Sequence, residues 1–196
     1  MRYFVSVCAF TVLAFASVDC LLAQEAAGVA DAKEKKSTVK GEDITLGGGS
    51  VKLTAPASWK KKKPRSRILA YEFSIPAGDK DLRDGRFTVS TMRGSVKANI
   101  DRWVKQFPKA TNKKVEEKKV GEQVVHLVDL TGTFMDSRGP AFPAVERDDY
   151  RMLGAIIPTK ENGQHFLKFY GPSKVIDKQS KAFEKMIQSM KLPSKK

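Results

Sequence analysis

Cysteine is nearly missing: the chain has two, Cys8 and Cys20, and both fall within the first 23 of its 196 residues. Once that stretch is removed, no disulfide, thiolate metal site or cysteine nucleophile is possible, and stability must come from a core. Histidine is as scarce, with His126 and His165 alone. Acidic residues are in deficit, 22 against 36 lysines and arginines, leaving a formal net charge of +14. The Gly-x-Ser-x-Gly elbow, the Walker loop, Gly-x-Gly-x-x-Gly and His-Glu-x-x-His are all absent. Their absence excludes the commonest local signatures of hydrolases, nucleotide binders and metalloproteases, and no cofactor is expected. Nor does any apolar run reach the roughly 20 residues of a membrane-spanning helix.

What is present begins with an export pattern. Arg2 precedes a run of 16 apolar and small residues, 3–18, which Asp19 interrupts before Leu21-Leu22-Ala23. This reads as a secretion signal over 1–23, cut after Ala23, with Ala14-Phe15-Ala16 as the alternative small-x-small site. Lipidation at Cys20 fits poorly, because Asp19 stands where processing requires a small residue. Export to the periplasm or the exterior is expected. Cleavage removes one base and one acid, Arg2 and Asp19, so the balance stays at +14. Such an excess favours anionic partners. In an exported protein these are envelope polymers, lipid surfaces or acidic proteins, with nucleic acid disfavoured.

Residues 24–49 read as a flexible leader ending in Gly47-Gly48-Gly49-Ser50, although Ile44 and Leu46 have the spacing of a short edge strand. The domain spans 50–192, and 193–196 is a basic tail. Strands are expected over 51–54, over 68–75 with Leu69, Tyr71, Phe73 and Ile75 on one face, and over 86–92. Ser95 then caps a helix whose stripe is Val96, Ile100, Trp103, Val104 and Phe107. Two strands follow around Gly121, at 113–120 and 122–134, then an irregular loop over 135–147. A strand over 150–157 is stopped by Pro158, and Asn162-Gly163 turns the chain into a strand over 166–170. Gly171-Pro172 breaks that strand, and Pro172-Ser173 starts a second helix, with Ser173 as its cap. Val175, Ile176, Ala182, Phe183, Met186, Ile187 and Met190 form its stripe. Consecutive strands with tight turns imply an α/β (α+β) fold, a single mostly antiparallel sheet of about six or seven strands with two long amphipathic helices packed on it.

The opening Val51-Lys52-Leu53-Thr54-Ala55-Pro56-Ala57-Ser58-Trp59 resembles the strand, Pro and Trp that open PsbP-type domains. The closing strand at Phe166 to Tyr170, Gly171-Pro172 and the helix ending Met186-Ile187-Gln188-Ser189-Met190 are similar to the close of such domains. Gly94-Ser95-Val96-Lys97-Ala98-Asn99-Ile100-Asp101-Arg102-Trp103 and Tyr150-Arg151-Met152-Leu153-Gly154-Ala155 resemble segments of small exported bacterial proteins with no assigned function. The resemblance covers about 50–192 and implies an α/β/α sandwich that acts as an accessory or binding protein. It supplies no catalytic residue.

The least ordinary feature is the basic run of Lys60, Lys61, Lys62, Lys63, Arg65 and Arg67, six bases in eight residues. It reads either as a solubilising loop or as a docking face for an anionic partner. Trp59 and Tyr71 flank it, but export argues against stacking on nucleic acid. His126 and Asp129 fall on opposite strand faces, so no metal site is expected from them with His165. The acids Asp136, Glu146, Asp148 and Asp149 lie among Arg138, Arg147 and Arg151 and read as a salt-bridged loop. Ser66 and Ser137 have no histidine near in sequence. The function expected is therefore that of an exported, non-catalytic accessory or binding domain of the cell envelope. The alternative is a small hydrolase or isomerase with a site beside the 135–149 loop, which needs His126, His165 or those carboxylates to converge.

Overall fold

The computed structural model describes residues 40–137, 142–159 and 162–192. The chain divides into two units, Met1–Ser37 and Thr38–Lys196, and all described residues belong to the second. The signal segment, the first part of the leader, Arg138, Gly139-Pro140, Glu161 and the basic tail lie outside the described residues.

Strand β1 (Asp43–Leu46) pairs antiparallel with β2 (Val51–Thr54) across a turn built on Gly47, Gly48 and Gly49. All three glycines have positive φ, a conformation that side chains with a Cβ resist. Ile44 and Leu46 are buried beside Val51 and Leu53. The expectation of a flexible leader reaching Gly49 therefore fails over 43–49, where the edge strand and its turn form instead. Apolar residues at every second position gain more from burial than the chain loses by ordering.

The main sheet has seven strands in the order β3-β4-β5-β9-β8-β7-β6, and every pairing is antiparallel. Its members are β3 (Lys60–Lys62), β4 (Leu69–Ile75), β5 (Gly85–Met92), β6 (Lys109–Val120), β7 (Gln123–Asp136), β8 (Val145–Thr159) and β9 (Gly163–Pro172). Helix α1 (Val96–Val104) joins β5 to β6, and α2 (Ser173–Gln188) follows β9. The expected α+β architecture is what the chain adopts.

Each helix takes one face of the sheet. Leu167 and Phe169 join Phe73, Phe87 and the α2 residues Val175, Ile176, Phe183, Met186 and Ile187 in one cluster, closed by Trp59 and by the β1–β2 pair. Phe166, one position along β9 and so on the reverse face, joins Trp103, Phe107, Leu130, Phe134 and Met152 under α1. Trp59 packs against Phe87 and Phe169 at centroid distances of 5.0 and 5.1 Å, and its indole N–H donates to Gln179 at 3.3 Å. Trp103 lies so close to Gly154 that a Cβ there would meet the ring at 2.4 Å.

Several boundaries differ from the sequence expectation. Pro158 lies inside β8 rather than ending it, and β9 runs through Gly171 to end at Pro172, two residues beyond the expected Tyr170. Pairing of β8 with β7 stops at Ile156, so Pro158 is bordered only by β9, and pairing of β9 with β5 stops at Tyr170, so Pro172 is bordered only by β8. A proline is tolerated where one side of the ladder is open. The loop expected over 135–147 is shorter, because β7 runs to Asp136 and β8 begins at Val145. Ser95 does cap α1, accepting from the Ala98 amide at 3.1 Å. Ser173 does not cap α2: it sits inside the helix, its hydroxyl buried without a partner, and Pro172 holds the cap position.

Candidate functional site

Helix α1 is short and covers β7, β8 and the start of β9, leaving the other half of that face open. The residues on that open half alternate with the core. On β4, Glu72 and Ser74 oppose Phe73 and Ile75; on β5, Arg86 opposes Phe87; on β9, Tyr170 opposes Phe169. They floor a cleft of about 540 Å³. Its rim is Lys62, Lys63 and Arg65 on one side and Arg83 and Asp84 on a second, with Asp136 at the end of β7 and Tyr150 on β8 opposite.

The β3–β4 pairing divides the basic run between two faces. Lys60 pairs with Ser74 and Lys62 with Glu72, placing both on the cleft face, whereas Lys61 pairs with Phe73 on the other. Lys61 is engaged there by Glu42, at 2.5 Å, and lies over the Tyr71 ring. Arg65 reaches Glu72 at 3.2 Å. Arg67 is exposed and does not line the cleft. The six residues therefore do not form one patch. Lys60 to Lys62 are an edge strand, not the loop the sequence suggested.

Glu72 is the buried centre of the floor. Its carboxylate accepts from Arg86 Nε at 2.9 Å and from the Arg65 backbone amide at 2.9 Å. Burial alone would push its pKa up; the hydrogen bonds from Arg86 and Arg65 and their charges outweigh that and hold it below the ordinary value. Arg86 also donates from Nη1 to the Tyr170 hydroxyl at 2.6 Å. Burial opposes the Arg86 charge, but Tyr170 and Glu72 together raise its pKa. Tyr170 is raised by burial, against the pull of Arg86.

The other acids of the cleft are also engaged. Asp84 is lowered by hydrogen bonds from the Ser74 hydroxyl, at 2.7 Å, and the Ala77 amide, at 3.1 Å. Asp136 pairs with Arg147 at 3.5 Å. By contrast, Lys60, Lys62, Lys63 and Arg83 have no acidic partner within 4.0 Å among the described residues.

Beside the cleft, the Lys168 ammonium is enclosed between aromatic rings, 4.5 Å from the Tyr170 centroid and 5.0 Å from that of Phe134, and it donates to Gln106 Oε1. Desolvation, helped by repulsion from Arg86 and Arg102, pushes this amine down to about 7. Alternation over 166–170 places Lys168 on the same face as Tyr170, but nothing in the sequence marks it as enclosed. Glu72 escapes sequence reasoning for a like reason, since it reads as the solvent-facing position of its strand.

The groups that the enzyme reading calls on are engaged with other partners. His126 Nδ1 faces Glu117 at 3.2 Å, while His165 is fully buried, with Nδ1 2.8 Å from the Thr91 hydroxyl. Burial lowers the His165 pKa. Asp129 turns to Arg151, which it grips with both oxygens, and Asp148 accepts from Thr133 at 2.7 Å. Among the described residues no group of three or more His, Cys, Asp or Glu side chains is placed to hold a metal, and no helix is long and apolar enough to cross a membrane. A second groove, of about 130 Å³ between β6, β7 and α2, carries paired charges, Lys114 with Glu116 at 2.6 Å and Arg151 with Asp129 at 2.7 Å.

Fold and cleft together define an α+β sandwich with a cationic recess on its open half-face. No family model matches the chain, and no curated protein matches it. Among solved structures, it is similar to the cyanobacterial PsbP (CyanoP) of Synechocystis sp. PCC 6803, with 10% identity over 85% of this chain and 100% of that chain and a TM-score of 0.49. It is similar to a protein from Bacteroides thetaiotaomicron, with 18% identity over 80% of this chain and a TM-score of 0.46, and spans 50% of that longer chain. The Ran-binding protein Mog1p of Saccharomyces cerevisiae is 10% identical over 79% of this chain and 96% of that one, with a TM-score of 0.46. PsbP is thus among the proteins this chain is similar to; the architecture itself is set by the seven-stranded sheet and its two helices.

Proposed function

We propose that the protein is a non-catalytic binding domain, exported to the cell envelope, that docks on an anionic envelope polymer through the cationic rim of the cleft. The observation that carries this reading is the gathering of Lys62, Lys63 and Arg83 without acidic partners around a recess whose own acids are all engaged, with Lys60 on the same face of β3 as Lys62. Lysines on an edge strand also block pairing with a second sheet. That accounts for Lys60 to Lys62 but not for Lys63 or Arg83, which lie outside strands.

A concave recess suits acidic groups carried singly along a flexible chain better than it suits a flat lipid surface. Export rests on the pattern of residues 1–23. The test is binding of the purified chain to polyanionic envelope polymers, with anionic vesicles and an acidic protein as comparison arms. Salt-sensitive binding to the polymer, lost when Lys60, Lys62 and Lys63 are changed to alanine, is the expected result. Equal binding by both proteins would overturn it.

A further inference from the structure

We infer that the floor of the cleft is a receptor site for a single small oxyanion, a carboxylate or phosphate group, grasped by Arg86 and Tyr170. The inference deepens the docking reading and rests on it for the sign of the ligand's charge. Three features of the floor carry it.

The first is the way Arg86 is held. Its Nε donates to Glu72 and its Nη1 to Tyr170, so two of its three nitrogens are fixed by protein. Nη2 has no protein acceptor among the described residues, and the side chain is 29% exposed. A buried carboxylate behind an arginine fork fixes its orientation, so little rotamer freedom is left to lose when an anion binds its open end.

The second is the direction of the Tyr170 hydroxyl. Because its oxygen accepts from Arg86, its own proton is free to be donated elsewhere, and no protein acceptor among the described residues takes it. Arg86 and Tyr170 therefore offer two donors side by side, an arrangement matched by two oxygens of one oxyanion.

The third is the balance of charge around the recess. Glu72 and Asp84 are held by protein donors and Asp136 is ion-paired with Arg147, while Lys62, Lys63 and Arg83 supply unpaired positive charge around the same recess. A cation would meet carboxylates already paired with bases or hydrogen-bonded and an excess of like charge, and a neutral ligand would gain nothing from the field. The cleft is larger than one oxyanion, so the remainder of a ligand extends toward Tyr150 or out past the rim.

The experiment is calorimetric titration of the full chain with inorganic phosphate and, separately, with succinate, at low ionic strength. Saturable binding of at least one is expected. Tyr170→Phe keeps the ring and removes the donor, and should weaken binding by about tenfold, the usual worth of a hydrogen bond to a charged group. Arg86→Lys keeps a cation on Glu72 but removes the fork, and should weaken it at least as much. Lys61→Ala, on the opposite face, should leave it unchanged. Binding of phosphate alone, succinate alone or both would support the site and name the oxyanion. No saturable binding of either, or equal affinity in the wild type and both floor variants, would overturn it. Failure here is distinguishable from failure of the docking reading. Tyr170→Phe leaves the rim lysines in place, so it should still dock on the polymer, while the rim variant should keep a Tyr170-dependent phosphate site.

Discussion

The Arg86 guanidinium donates to the Tyr170 hydroxyl at 2.6 Å across the β5–β9 pairing, where the two residues stand directly opposite each other. On the other side of β5, Arg86 stands opposite Ser74 and reaches diagonally to Glu72, two residues back along β4 and buried. A buried acid, a tethered base and a phenol thus meet on three adjacent strands.

Arg86 holds the Glu72 carboxylate ionised inside the sheet. Arg86→Met should therefore destabilise the fold by about 3 kcal/mol, the typical cost of leaving a buried charge short of its partner, and Glu72→Gln by less. The pH dependence has a definite sign. The folded-state pKa of Glu72 lies below the ordinary value of 4.5, so its contribution is fully present above that value and is lost as pH falls through the folded pKa. Urea denaturation of wild type and Glu72→Gln should show the gap between them closing in acid.

Lys168 works in the opposite direction. Its amine is pushed from 10.5 down to about 7, so the penalty for keeping it charged in the fold is complete below pH 7 and is relieved as pH rises toward 10.5. Within that window the unfolded chain binds the extra proton, and stability should rise with pH by about 1.4 kcal/mol per unit from this group. Lys168→Met removes the titration and keeps the stem. The variant should gain most below pH 7, and its advantage should shrink as the medium becomes alkaline, as followed by urea unfolding midpoints.

Trp103 packs on the bare backbone of Gly154, with no room for a Cβ between them. Gly154→Ala should cost about 1–3 kcal/mol through overpacking. Trp103→Ala alone should cost about 3–5 kcal/mol by opening a cavity. Combined with Trp103→Ala, Gly154→Ala should become nearly neutral, so the double-mutant cycle should show coupling of more than about 0.5 kcal/mol.

Ile44 is fully buried in the α2-side core, although it lies in a stretch whose composition reads as a tether. Ile44→Ala should destabilise the domain by about 2–5 kcal/mol, measured by thermal or urea unfolding. A residue in a mobile tether would show almost no change.

Both helix stripes are legible from spacing alone, because apolar residues recurring with Trp103 or Phe183 at three- and four-residue steps share one side of a helix and no side of a strand. The antiparallel sheet follows from consecutive strands with short turns. Pro158 misleads: it would end a strand only where both sides of the ladder need amides, and here one side is open, whereas β9 does end at Pro172. The cleft is harder still. Lys62 and Lys63 are visible as part of a basic run, but Glu72, Arg86 and Tyr170 lie far apart in the chain and read as ordinary alternation on three different strands. Only the strand order brings them together, and only the shortness of α1 leaves them uncovered. The same alternation splits Lys61 from Lys60 and Lys62, which composition groups together.

The most direct test of the docking reading is the salt dependence of polymer binding, measured side by side for wild type and the variant with Lys60, Lys62 and Lys63 changed to alanine. Wild-type affinity should fall steeply between low and physiological salt, since exposed charges lose most of their reach beyond a Debye length of about 8–10 Å. The variant should bind weakly at both, with a flatter slope. Identical slopes for the two proteins, or binding indifferent to salt, would contradict the cationic rim as the docking surface.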